Sequence, residues 1–181
     1  MWLFIRHLIQ LLLSPARGWE DVSEAVLSPK ELQSKGYYPL IGLTSLSEFL
    51  PLMYSHGEGF LHALEAAIAM AFSMFASLYL GRLFLEMTLG KFINGELNHT
   101  KTNIFVICMM GINCLFIILT NALPASMTFL RLLPLLSVII IFKSTAYMGI
   151  KDDNQLNFTG LAIVGVIVIP ISISSLLLFF I

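Results

Sequence analysis

Charge is what this chain has least of. Of its 181 residues 12% are Asp, Glu, Lys or Arg, against about 25% in a soluble domain. Hydrophobic residues make up 57% and the mean hydropathy is +0.87, so a soluble globular domain is excluded. A formal net charge of −1 argues against nucleic acid as a partner. Only Cys108 and Cys114 represent cysteine. They lie six apart within one apolar run and so on different helix faces, which makes them small packing residues rather than a redox or metal pair. No P-loop, nucleophile elbow or zinc-type His pair with Glu is present. The expectation is therefore no enzyme, no cofactor and no metal. The loop with His56, Glu58, His62 and Glu65 is expected to be plain and solvated.

What fills the chain instead is a set of five hydrophobic runs, about 38–54, 66–85, 104–123, 127–148 and 160–181, each of 17 to 22 residues. A helix rising about 1.5 Å per residue needs about 20 residues to cross a hydrocarbon core about 30 Å thick. The fold class expected is all-α, a polytopic membrane protein with five transmembrane helices over 38–181, preceded by short interfacial or cytoplasmic helices in 1–37. With no soluble domain beside the bundle, the partners expected are the lipid bilayer and other membrane proteins.

Basic residues set the orientation, because Lys and Arg near span ends concentrate on the cytoplasmic side. Arg6, Arg17, Lys30, Lys35, Arg82, Lys91, Lys101, Lys143 and Lys151 fall on one side of the drawn spans, and only Arg131 on the other. The N-terminus is thus expected in the cytoplasm and the C-terminus outside it, which leaves the sequons at Asn98 and Asn157 on the cytoplasmic side and unused.

Before the first run, Met1 to Leu13 is too short to span and carries a polar stripe of Arg6, Gln10 and Ser14, the pattern of a helix lying in the interface. Ser14-Pro15 and Ser28-Pro29 each place a capping Ser before a proline suited to the first helical turn, and Ser28 with Glu31 has capping-box spacing. Helices are expected over about 15–27 and 29–35. Trp19, Val22 and Val26 share the apolar face of the first, directed at the membrane or the bundle's cytoplasmic end. Gly36 is expected to stop the second before Tyr37 and Tyr38 anchor at the interface.

Polar groups at membrane depth are the functional leads, since they are costly there unless they face protein or water. Glu48 is expected about 9 Å below the outer end of the first span, and Glu65 and Arg131 about 6 to 8 Å below theirs. The three either pair to fasten helices or line a polar outer cavity; Arg131 snorkelling alone is the third possibility. Arg82 and Glu86 form an i, i+4 pair. The second run carries a face of Glu65, Ile68, Phe72, Phe75, Tyr79, Arg82 and Glu86, with a small-residue stripe of Ala66, Ala69, Ser73, Ala76 and Ser77 beside it. Asn113, central in the third run, is expected to hydrogen-bond to another helix. Pro170 is expected to kink the fifth.

Leu12-Leu13-Ser14-Pro15, Trp19-Glu20-Asp21-Val22 and Tyr38-Pro39-Leu40-Ile41-Gly42, in that order before five spans, resemble the Yip family of Ypt/Rab-interacting membrane proteins in its compact bacterial form. The likeness runs over the whole chain. It implies a non-enzymatic scaffold, membrane-organising factor or assembly subunit in a bacterial cytoplasmic membrane, and supplies no catalytic residues. Eukaryotic members carry a hydrophilic N-terminal region longer than the 37 residues that precede the first run here. The alternative reading is a small transporter or channel component using Glu48, Glu65, Arg131 and Asn113.

Overall fold

A computed structural model describes residues 1–25, 28–54, 59–91, 98–123 and 133–179. Among them every regular element is helical: α1 (Trp2–Leu13), α2 (Pro15–Glu24), α3 (Pro29–Leu32), α4 (Tyr38–Ser47), α5 (Phe60–Thr88), α6 (His99–Ala122), α7 (Leu133–Lys143), α8 (Thr145–Met148), α9 (Gln155–Ile163) and α10 (Ile169–Phe179). Three stretches are long and apolar enough to cross a membrane: Phe60–Thr88, His99–Ala122 and Asp152–Leu177. Trp2–Leu13 and Leu133–Lys143 are shorter apolar helices.

Two junctions follow one rule. Helices α3 and α4 join without a break through a π turn at Gln33–Tyr37, and α9 and α10 through a π turn at Val164–Val168. Each π turn ends two residues before a proline, Pro39 or Pro170. A proline inside a helix lacks its N–H and presses on the carbonyl four residues back. Widening the preceding turn relieves that pressure, so the Tyr38 N–H reaches Gln33 O and the Ile169 N–H reaches Val164 O, five residues back. The last helix therefore continues past Pro170.

Gly36 does not stop a helix. The chain runs helically from 29 to 47 through it, and the glycine serves packing instead: a Cβ there would stand 2.6 Å from the Phe4 ring. The helix ends after Ser47, followed by a turn at Glu48 and Phe49 and a 3-10 turn at Leu50–Met53. Pro51 explains the stop, because its ring would meet the Ser47 carbonyl. The first apolar run is thus α-helical over only part of 38–54.

Helix α6 is the centre. It packs against α3, α4, α5, α7, α8 and α1 and touches the π turn of the last helix. Residues Ile104 to Ile112 are buried on every side, Gly111 included. Gly111 lets α1 approach, since a Cβ there would stand 2.8 Å from Leu8 Cδ1 and from Phe4 Cζ. Phe4, Leu8 and Leu11 are buried in protein, while Trp2, Leu3, Ile9 and Leu13 on α1 stay exposed. The Gln10 amide donates to Asp21 of α2, closing the α1–α2 hairpin. Trp19 on α2 stacks on Phe105 at 5.6 Å and Tyr147 at 5.0 Å, and its indole N–H donates to Ile140 O at 2.9 Å. Val22 is buried beside it; Val26 lies outside the described residues. Neither Ser14 nor Ser28 makes a side-chain cap bond, although both precede their helices as expected.

Helices α5 and α10 make the broadest pairing. A Cβ at Gly81 would stand 2.7 Å from Gly165 O, so helix and π turn touch backbone to backbone. The neighbouring Ala69, Ser73 and Ser77 are buried on the same helix, whereas Ile68, Phe72, Phe75 and Tyr79 face outward.

Candidate functional site

Because α4 ends at Ser47, Glu48 occupies the C-terminal cap of that helix rather than a position one to two turns inside it. There it meets the last turn of α6. The Asn121 amide donates to Glu48 Oε1 at 2.9 Å and to Ser47 Oγ at 3.1 Å. Tyr54, beyond the 3-10 turn, donates its hydroxyl to Asn121 O at 2.7 Å and lies 3.1 Å from Leu123 O. The C-terminal carbonyls of α6, which have no partner within the helix, are thus partly satisfied by a side chain from the preceding hairpin. Beside this cluster lies a cavity of about 270 Å³, lined by Glu48, His62, Ala66, Asn121 and Ser174 among others. It offers a carboxylate, an imidazole, an amide and a hydroxyl, a set able to bind a small polar solute or relay a proton.

Deeper in the bundle, Asn113 solves a problem set by Pro170. The proline cannot donate to Val166 O, its partner four residues back. Asn113 Nδ2 does so instead, at 2.6 Å across the helix interface. One turn further along, Ser73 and Ser174 share a hydroxyl hydrogen bond of 2.6 Å between α5 and α10. The polar side chains of the third and fifth runs here bind helices to one another, which removes the cost of unpaired groups in an apolar surrounding.

The other sequence candidates separate. Arg82 Nε pairs with Glu86 at 2.9 Å on α5, and Glu86 also meets His99 Nδ1 at 3.4 Å. Glu65 forms no ion pair among the described residues and does not line the cavity beside Glu48. Arg131 lies outside the described residues, as do His56 and Glu58. Cys108 and Cys114 are fully buried free thiols on α6. Among the described residues no His, Cys, Asp and Glu converge in threes as metal ligands.

Sequence reasoning passed over Asn121, Tyr54 and Asn98. Asn98, noted only as a sequon, is the N-cap of α6, its Oδ1 accepting from the Thr100 and Lys101 backbone N–H groups at 3.0 and 3.1 Å. That signal was available in an Asn placed just ahead of an apolar helix. Asn121 gave none, because its match to Glu48 depends on where α4 stops. No family model, curated protein or solved structure matches this chain.

Proposed function

We propose that this chain is a five-span, non-enzymatic protein of a bacterial cytoplasmic membrane, Yip-like in arrangement, acting as a scaffold, membrane-organising factor or subunit of a membrane assembly. The observation that carries this reading is where the intramembrane polar groups direct their bonds: Asn113 to Val166 O, Asn121 to Glu48 and Ser47, Ser73 to Ser174. They fasten helices. The three long apolar helices support three of the crossings, and the two further spans are the runs 38–54, which begins with α4, and 127–148, which holds α7 and α8.

Orientation follows the basic residues. Lys30 and Arg82 line one cavity with Asn103 of α6, and Lys101 Nζ donates to Tyr147 O at 3.2 Å, so these three cations lie toward the end of the bundle where α6 begins, while Lys143 and Lys151 flank Tyr147 in the sequence. That end is the cytoplasmic one under the positive-inside rule. Alkaline phosphatase fused after Ile181 is expected to be active in a bacterial host, and a fluorescent protein fused there dark. The reverse pattern overturns this orientation.

The cavity beside Glu48 favours one second reading, a small transporter or channel component using Glu48, Glu65, Arg131 and Asn113. Transport needs water to reach Glu48 from at least one side. In a background lacking Cys108 and Cys114, Glu48→Cys should resist a membrane-impermeant thiol reagent applied to intact cells if the protein is a scaffold. Rapid labelling blocked by a candidate solute moves the assignment to transport.

A further inference from the structure

At the end of the bundle where α6 begins, a second cavity of about 310 Å³ opens between α3, α5 and α6, lined by Ser28, Lys30, Gln33, Tyr79, Arg82 and Asn103 among others. We propose that it binds the phosphate-bearing head group of an anionic lipid. This rests on reading the bundle as membrane-embedded, though not on which side that end faces.

The charge balance comes first. Two cations line the cavity, Lys30 and Arg82; of the nearby carboxylates one is engaged elsewhere and one holds Arg82 itself, so Lys30 supplies the uncompensated charge. Glu31 pairs with Lys35 at 2.9 Å, and Glu86 takes Arg82 Nε at 2.9 Å together with His99. Lys30 forms no ion pair among the described residues. The Glu86 contact engages the ε nitrogen of Arg82, leaving the terminal guanidinium nitrogens for a planar, two-point contact with a phosphate.

Neutral groups complete the set. Gln33 Nε2 donates to Tyr38 Oη at 2.5 Å and lies 3.3 Å from Tyr79 Oη, and the two tyrosine hydroxyls are 3.0 Å apart. This network holds the Tyr79 phenol against the cavity with Tyr38 bonded beside it, and amphipathic rings suit the head-group level. Asn103 of α6 adds an amide side chain to the lining.

A lipid fits better than a free ion because of what continues from the rim. Tyr79, Phe75, Phe72 and Ile68 follow one another along α5 at helical spacing and are exposed, with Phe75 stacked on Tyr38 at 4.9 Å. Acyl chains attached to a head group at Arg82 would lie on that face. Basic pockets between transmembrane helices hold lipid head groups in the same manner.

The test uses full-length protein, delipidated in detergent and examined by native mass spectrometry with three probes: phosphatidylglycerol, phosphatidylcholine of the same chains, and inorganic phosphate. Wild type should retain phosphatidylglycerol over phosphatidylcholine. Lys30→Gln combined with Arg82→Gln should weaken that retention about tenfold or more, the effect of losing about 1.4 kcal/mol of charge-assisted contact. Lys151→Gln, a solvent-exposed position, should leave it unchanged. Lys30→Gln alone, which spares the Arg82–Glu86 pair, should give a smaller loss in the same direction while eluting as a single species. Equal retention of the two lipids, or undiminished retention by the double variant, overturns the site. Displacement of phosphatidylglycerol by millimolar inorganic phosphate with the same dependence on Lys30 assigns the cavity to a free anion and overturns the lipid. A failed lipid preference leaves the fusion result at Ile181 standing, so the two readings fail separately.

Discussion

Helix α6 and the last helix are nearly indistinguishable by hydropathy, 2.3 for His99–Ala122 and 2.4 for Asp152–Leu177, yet 67% of the first window is buried in protein and 22% of the second. One is the axle of the bundle and the other an exposed apolar edge. Lipid tails and packed side chains are equally apolar, so hydropathy cannot tell a central helix from a peripheral one. What separates them is how their small and polar residues are used. On α6, Gly111 admits the N-terminal helix, and Asn113 and Asn121 reach out to two different partners. On the last helix, Gly165 meets α5 and Ser174 bonds Ser73, while Val164, Val168, Ile171 and Leu176 remain exposed.

The contrast breaks most visibly on truncation. Phe105→Ala on α6 removes a fully buried ring that stacks on Trp19 and meets Phe158 at 6.0 Å; it should cost about 3 to 5 kcal/mol. Leu176→Ala, at a position 58% exposed, should stay within about 0.5 kcal/mol. Thermal unfolding of both variants in one detergent measures the difference, and equal losses would contradict the central place of α6.

Overpacking comes next. Gly81→Leu drives a side chain onto Gly165 O, a backbone atom that cannot turn away, whereas Gly160→Leu has open space at its Cβ. The first should destabilise by about 1 to 3 kcal/mol and the second very little. Gly111→Ala should fall between them, because its neighbours are the ends of Leu8 and Phe4 side chains.

A third prediction sharpens the comparison at the contact between the two helices. Asn113→Leu leaves Val166 O buried without a donor, an expected loss of about 1 to 3 kcal/mol. Pro170→Ala returns a backbone N–H to that carbonyl. The double variant should therefore recover part of the loss, and strictly additive effects would show that Asn113 does not act by replacing the missing proline donor.

The smallest effect concerns the attachment of α1 to the axle. Burial first, and Arg6 second, hold the His7 imidazole below its ordinary value of 6.5, with Asp21 opposing them. A lowered histidine pKa leaves folding unaffected above the ordinary value and penalises the folded state increasingly as pH falls from about 6.5 toward the folded value. Protease cleavage near the N-terminus should thus quicken modestly between pH 7 and pH 5, and His7→Gln should flatten that dependence.

Much of the candidate chemistry was legible residue by residue, and its geometry was not. Asn113 stands out in the sequence as a lone amide inside an apolar run, and its donation to another helix needs only that fact. The small-residue stripe of the second run points to a close helix contact, which forms around Ser73 and Gly81. The partnership of Asn121 with Glu48 was hidden, because it requires α4 to end at Ser47. Pro51 carries the reason for that end, yet the hydrophobic run continues smoothly past it to Tyr54. Gly36 misleads for the converse reason: a glycine after a short helix suggests a stop, and here the Phe4 ring from a distant part of the chain requires it.

By itself the amino-acid sequence determined that this protein is helical and built for an apolar surrounding, since a chain with so little charge can satisfy its backbone there only within its own helices. It also determined the asymmetry of basic residues and the positions of the prolines that widen or end helices. Tertiary structure alone decided which apolar helix lies at the centre, that α1 buries Phe4 and Leu8 against Gly111, and that Lys30 and Arg82 share one cavity. Those outcomes depend on shape: where a glycine leaves room, where a proline turns the chain, and which carbonyl is left without a donor. An average over neighbouring residues carries no information about contacts between residues far apart in the chain.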